Sequence, residues 1–229
     1  MKFISALVLL LWGMQLQAQF AIVRDKDGYT NVREGAGVSK KIIGKLLDGM
    51  VAYIQETEGE WHHVEYYRKH EITSGYIHRS RLIPLDSFAS VKVRQQNTSS
   101  VVFQQDSITV MFTTKPFVEK DHKIENRLQD GYTIIDKIDG KIFYGSDGGL
   151  PVWQYNTFTI QIGNRAVLVP DYAIRDLYNP NPELTSVCYD RKNDRLYIVA
   201  SNSDGAGSYD VLLQFDRGEY SQRAIFYGF

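Results

Sequence analysis

Gly28-Tyr29-Thr30-Asn31-Val32-Arg33-Glu34-Gly35, then Ile42-Ile43-Gly44-Lys45-Leu46, then Gly75-Tyr76-Ile77-His78-Arg79-Ser80-Arg81-Leu82 are the stretches that decide the fold. In each, short runs rich in β-branched and aromatic residues are punctuated by glycine, the pattern of strands joined by tight turns. Between them lie a turn at Asp48-Gly49, a run from Val51 to Gln55, and Glu58-Gly59-Glu60-Trp61 leading into His63-Val64-Glu65-Tyr66. With Ile22-Val23 at the start, this predicts five short strands in about 65 residues, enough to close a small barrel. Residues alternate faces along a strand, so a Val32 that points inward sends Asn31 and Arg33 outward.

The order G-x-x-NVR-x-G, then IG, then a turn glycine, then Trp61, then GY-I-H-x-S-x-L resembles the bacterial SH3 domain family over Gly28 to Leu82. Two departures stand out: Glu34 where the family often has Ser, and an insertion, Tyr67 to Ser74, before the closing strand. The resemblance implies an SH3-like barrel over residues 20–86. It also implies attachment to peptidoglycan or to a peptide segment of an envelope protein. Asn31, Arg33, Trp61, Tyr76 and His78 form the candidate binding set. Flat rings such as Trp61 and Tyr76 offer a large contact area with little entropy to lose, which suits an extended ligand. The same two rings could instead fill the barrel.

Outside this segment, the first residues read as a leader. Lys2 supplies a positive flank, Phe3 to Trp12 an apolar core, and Leu16-Gln17-Ala18 a small residue at the cleavage point. A signal peptide over 1–18, cleaved near Ala18, predicts a periplasmic or secreted protein. No later run approaches the roughly 18 apolar residues of a membrane span, so no membrane insertion is expected. Lys and Arg number 26 against 27 for Asp and Glu, so no field of one sign recruits nucleic acid. Cys188 has no partner for an internal disulfide and sits in Val187-Cys188-Tyr189, an apolar run that suits a buried thiol.

Residues 88–229 continue the β pattern as an antiparallel sandwich or barrel, making the whole chain all-β. Strands are expected at Val101 to Gln104, Ser107 to Thr113, Tyr132 to Ile138, Lys141 to Tyr144, Thr157 to Ile162 and Ala166 to Val169. Asp139-Gly140 is read as a hairpin turn between the third and fourth of these. Four more strands, Thr185 to Tyr189, Arg195 to Ala200, Tyr209 to Phe215 and Tyr220 to Phe226, read as a closing meander. One helical turn is expected, from Asp171 to Tyr178.

Ser201-Asn202-Ser203-Asp204-Gly205-Ala206-Gly207-Ser208-Tyr209 is a polar loop between apolar strands, with an echo at Gly145-Ser146-Asp147-Gly148-Gly149. Asn202, Asp204 and Asp210 are the candidate ligand oxygens there; the alternative is an ordinary glycine turn in which Asp and Ser satisfy local backbone. This loop with Gly218, Tyr220 and Arg223 is loosely similar to segments of uncharacterised secreted Bacteroidetes proteins that carry a bacterial SH3 domain. That likeness implies a shared fold and no chemistry.

Catalytic chemistry leaves little trace. Cys188 follows every histidine, whereas the wall-degrading cysteine peptidases place Cys ahead of His. A G-x-S-x-G elbow is absent. His62 and His63 are adjacent, so they face opposite sides of a strand and make a poor zinc pair. No catalytic residue, metal or cofactor is therefore expected, and the protein reads as a binding protein, not an enzyme. Two alternatives stand beside this. One is a hydrolase using a carboxylate pair of the second region, where Glu119, Asp121 and Asp130 lie near His122. The other is a structural or inhibitory module whose groove is filled by its own second domain.

Overall fold

The computed structural model describes residues 19–227; the expected leader and its cleavage point lie outside them. Among the described residues nineteen strands run in order. The first seven are β1 (Gln19–Val23), β2 (Tyr29–Arg33), β3 (Ile42–Leu47), β4 (Val51–Glu58), β5 (Trp61–Arg68), β6 (Glu71–His78) and β7 (Leu82–Pro84). Next come β8 (Ala89–Val91), β9 (Val93–Asn97), β10 (Ser100–Gln105), β11 (Ile108–Pro116), β12 (Ile124–Gln129) and β13 (Tyr132–Ile138). The last six are β14 (Trp153–Ile162), β15 (Arg165–Val167), β16 (Thr185–Asp190), β17 (Arg195–Asn202), β18 (Tyr209–Asp216) and β19 (Glu219–Phe226). The chain is all-β, and its helical turns are short 3-10 turns of three residues.

Residues 19–84 form a curled seven-stranded antiparallel sheet in the order β3-β2-β6-β5-β4-β1-β7. Inside the curl, Ala21, Val23, Val32, Leu46, Ala52, Ile54, Val64, Tyr66, Ile77 and Leu82 pack together. Two glycines of the quoted motif exist for this packing. A Cβ on Gly75 would lie 2.5 Å from Val32 Cγ1 and 2.9 Å from the Arg33 carbonyl, and one on Gly44 would lie 2.6 Å from Tyr66 Oη. The expected insertion at Tyr67 to Ser74 is no separate loop: β5 and β6 both extend through it and turn at Lys69-His70, each with positive φ.

A second sheet, β19-β18-β17-β16-β8, carries the expected closing meander and covers the curled sheet. A third, β15-β14-β11-β10-β9, covers the other face of the second. The second sheet is therefore a middle layer, buried on both faces. From β17, Leu196, Ile198 and Ala200 face the outer sheet, while Tyr197 faces the curled one. On β18 the same division separates Val211, Leu213 and Phe215 from Leu212. Strands β1 and β4 behave likewise, sending Ala21, Val23, Ala52 and Ile54 into the curl and Phe20, Ile22, Val51 and Tyr53 toward the middle layer. Burial on both faces explains why Phe20 to Val23, Val51 to Ile54 and Leu196 to Ala200 are continuous apolar runs and not alternating ones.

The layers meet in an aromatic cluster. Tyr53 and Phe226 stack at 4.8 Å and 4°, and Phe20 approaches Tyr53 edge-on at 4.9 Å. Tyr67 Oη donates to the Ile225 carbonyl at 2.6 Å, and Tyr53 Oη donates to the Asp210 carboxylate. Burial first, then the Asp210 hydrogen bond and charge, push the Tyr53 phenol well above its ordinary range, so it stays a donor. Leu85 and Phe88, at the short join, pack into the same cluster.

Two expectations need correction, and strand β9 is unexpected. Asp139-Gly140 does make a two-residue turn with positive φ at both positions, but Lys141 to Tyr144 form only isolated bridges. The partner of β13 is β12, joined through Asp130-Gly131, the same turn chemistry one hairpin earlier. The helical turn from Asp171 shrinks to a 3-10 turn, Asp171–Ala173. β9 gives no sequence signal because Val93-Arg94-Gln95-Gln96-Asn97 is exposed throughout and carries no apolar alternation.

Candidate functional site

Strand β2 alternates as its sequence requires. Thr30 and Val32 are buried, while Asn31 and Arg33 emerge on the outer side. There, with the start of β5 and the end of β6, they frame a cleft of about 370 Å³. Its wall comprises Asp25, Asp27, Tyr29, Thr30, Asn31, Arg33, Val38, Trp61, His78, Ser80 and Arg81. Every lining residue belongs to the curled sheet and its loops. The middle layer docks instead on the Phe20 and Tyr53 face, so this cleft stays open.

Register brings the aromatic side together. Trp61 pairs with His78 and His63 with Tyr76 across β5 and β6, two residues apart, so all four rings share one face. Trp61 and His78 meet edge-on at 5.3 Å and 89°. His78 Nδ1 lies 2.8 Å from Ser80 Oγ and accepts from the Ser80 N–H at 3.3 Å, so the neutral ring carries its proton on Nε2. Tyr76 departs from the predicted set: its ring leans on His63 at 5.0 Å and does not line the cleft.

The polar side is held as firmly. Arg33 Nη1 donates to the Lys40 carbonyl at 2.7 Å, which pins the guanidinium along the wall. Asp25 is engaged by Arg81 at 3.0 Å and by the Asp27 N–H at 2.9 Å, whereas the Asp27 carboxylate has no ion pair among the described residues. Asn31 Oδ1 is buried without a hydrogen-bond partner among the described residues. An acceptor left in that state is destabilising by about 1–3 kcal/mol. The cleft thus offers an indole edge, an imidazole N–H, a fixed guanidinium and carboxamide, and a carboxylate.

The polar loop of the second region does not gather its three candidates. Asn202 is buried, accepts from the Asn181 N–H at 2.9 Å and donates to Tyr209 Oη at 3.1 Å. Asp210 points the other way, accepting from Tyr53 and Ser201 between the layers. Asp204 is exposed in a shallow groove beside Trp153 and Asn179. Two of the glycines serve close packing, Gly207 against the echoing loop and Gly145 against Tyr178. A Cβ on Gly207 would lie 2.9 Å from the Ser146 carbonyl carbon, and one on Gly145 would lie 2.3 Å from the Tyr178 carbonyl oxygen. Among the described residues, no group of three or more His, Cys, Asp or Glu side chains is placed to hold a metal ion.

Cys188 lies in the interlayer core, where burial first, then the charges of Asp86 and Asp190, push its thiol up to about 12. Such a thiol is a weak nucleophile at neutral pH. Glu119 and Asp121 are exposed on a 3-10 turn, and the carboxylate that meets His122 is Asp139, 2.8 Å from Nδ1. A second cleft around this pair, of about 460 Å³, draws on positions 115 to 177 and leaves no local sequence signature.

Fold and site together define an all-β protein with an open, mixed polar and aromatic cleft on its N-terminal sheet. Among the described residues, no helix is long and apolar enough to cross a membrane. No family model, curated protein or solved structure matches the chain.

Proposed function

We propose that this is an exported, non-enzymatic binding protein of the cell envelope. Its N-terminal sheet receives peptidoglycan or an extended peptide of an envelope protein in the cleft of Asn31, Arg33, Trp61 and His78. One observation carries the reading: four of the five side chains expected at the site converge on one cleft, and among the described residues none after Phe88 lines it. A carboxylate and a guanidinium at separate points of the wall suit a ligand with charges of both signs, as peptide stems have. The same openness weighs against a module whose groove is filled from within.

A glycan hydrolase of the second region is less well supported. A general acid needs a carboxyl raised toward neutrality. Asp139 is shifted in the opposite direction: burial raises it, but hydrogen bonds from His122 and the Lys123 N–H, with the His122 and Arg175 charges, outweigh that and hold it low. Asp176 is bound bidentately by Arg223 at 2.5 and 2.6 Å.

The test is co-sedimentation of residues 19–229 with purified cell-wall sacculi, beside an Arg33→Gln/Trp61→Ala variant. A fragment ending at Leu85 is unsuitable, because it would expose Phe20, Ile22, Val51 and Tyr53. The expected result is retention that falls at least about tenfold in the variant, a change of about 1.4 kcal/mol. Equal retention of both proteins, or release of soluble muropeptides, would overturn the proposal.

A further inference from the structure

The larger cleft lies about the end of β11, the start of β14 and the segment from Asp171 to Leu177, in the second region and away from the Trp61 site. Ile138, Ile174 and Leu177 supply an apolar floor, and Gln154 and Asn156 polar flanks. A volume of about 460 Å³ falls within the range of small-molecule pockets.

The decisive feature is its charge pairing. Each carboxylate in the wall is already engaged: Asp139 by His122 and the Lys123 N–H, Asp171 by Arg175 at 3.2 Å, and Asp176 by Arg223. Lys115 and Lys141 line the same cleft and have no ion pair among the described residues. His122 is fixed from two sides. Its ring stacks on Phe117 at 4.5 Å and 12°, and Asp139 binds Nδ1, so among the described residues Nε2 is the nitrogen without a protein partner. Two lysines and one oriented imidazole therefore line a pocket whose carboxylates are each already paired. Cations are disfavoured there for the same reason. Lysines act as point charges toward phosphate, and a ring already held loses little further freedom on binding.

We propose that this cleft is a second ligand site, taking the phosphate or carboxylate group of a small molecule on Lys115, Lys141 and His122. The shared chemistry is a compact oxyanion beside an apolar floor. It is independent of the cell-wall reading, since no lining residue is common to the two clefts.

The experiment titrates residues 19–229 with inorganic phosphate and, separately, with acetate, each against sodium chloride at matched ionic strength. Heat of binding and the imidazole proton resonances are followed together. The expected result is saturable binding of at least one of the two anions. The His122 resonances, assigned with His122→Gln, should shift while those of His78 stay still. Lys115→Gln/Lys141→Gln should weaken the affinity at least about tenfold, about 1.4 kcal/mol, and Arg33→Gln should leave it unchanged. Preference for phosphate or for acetate identifies which group the site takes. Indifference of both anions relative to chloride, unmoved His122 resonances, or full affinity in the double-lysine variant would each overturn it.

Discussion

Truncating Phe226 to Ala tests whether the curled sheet and the layers behind it are one cooperative unit. Phe226 is fully buried near the end of the chain, stacked on Tyr53 and within 5.4 Å of the Tyr67 ring and 5.8 Å of Phe20, ring centre to ring centre. Its three ring neighbours all belong to strands of the N-terminal sheet. Removing a buried Phe side chain is destabilising by about 3–5 kcal/mol, through lost transfer energy and the cavity left behind. At roughly 2–4 °C per kcal/mol for a chain of this size, the midpoint should fall by about 6–20 °C. Calorimetry and circular dichroism of residues 19–229 should show one transition, displaced as a whole. Val32→Ala, a cut wholly inside the curl, should displace the same transition. Two separate transitions, of which each variant moves a different one, would refute the shared core. So would a loss from Phe226→Ala below about 1 kcal/mol, far outside the range for such a site.

Two further outcomes are expected from the packing. Gly75→Ala places a methyl 2.5 Å from Val32 Cγ1 and 2.9 Å from backbone oxygen, so urea unfolding should show a loss of about 1–3 kcal/mol or more, whereas Gly59→Ala, with open space around it but φ +59, should lose less. Cys188 should resist iodoacetamide at pH 8 in the folded protein and react fully in urea, because burial holds its thiol near 12. Rapid labelling of the native chain would show that the interlayer core opens.

Much of the N-terminal sheet is legible because its signals are local. Val32 between Asn31 and Arg33 declares an inside and an outside, and Gly75 and Gly44 sit where a neighbour leaves no room for a side chain. The extension of β5 and β6 reads as an insertion because Lys69-His70 is not a recognised turn pair, though both adopt positive φ. Asp130-Gly131 and Asp139-Gly140 both turn as such pairs do. Only the first joins two long strands, because after the second Lys141 bridges just Ile138, the last residue of β13, and Tyr144 bridges the distant Leu177, so the ladder does not continue. Asn202 and Asp210 look alike as polar loop residues. Only their alternation along β17 and β18, set by the register Asn202↔Tyr209 and Ser201↔Asp210, sends one into the outer core and the other between layers.

By itself, the sequence determined that the chain is all-β, where most strands lie, and which β2 side chains face outward. Those properties rest on turn chemistry and side-chain alternation, both set by residues a few positions apart. Tertiary structure alone decided that the middle sheet is buried on both faces, that the Trp61 cleft is left uncovered while the Tyr53 face is not, and that Lys115, His122 and Lys141 share one pocket. The physical reason is that these depend on which strands stack and in what register. Burial, charge pairing and pocket shape are sums over residues distant in the chain, and no short stretch carries them.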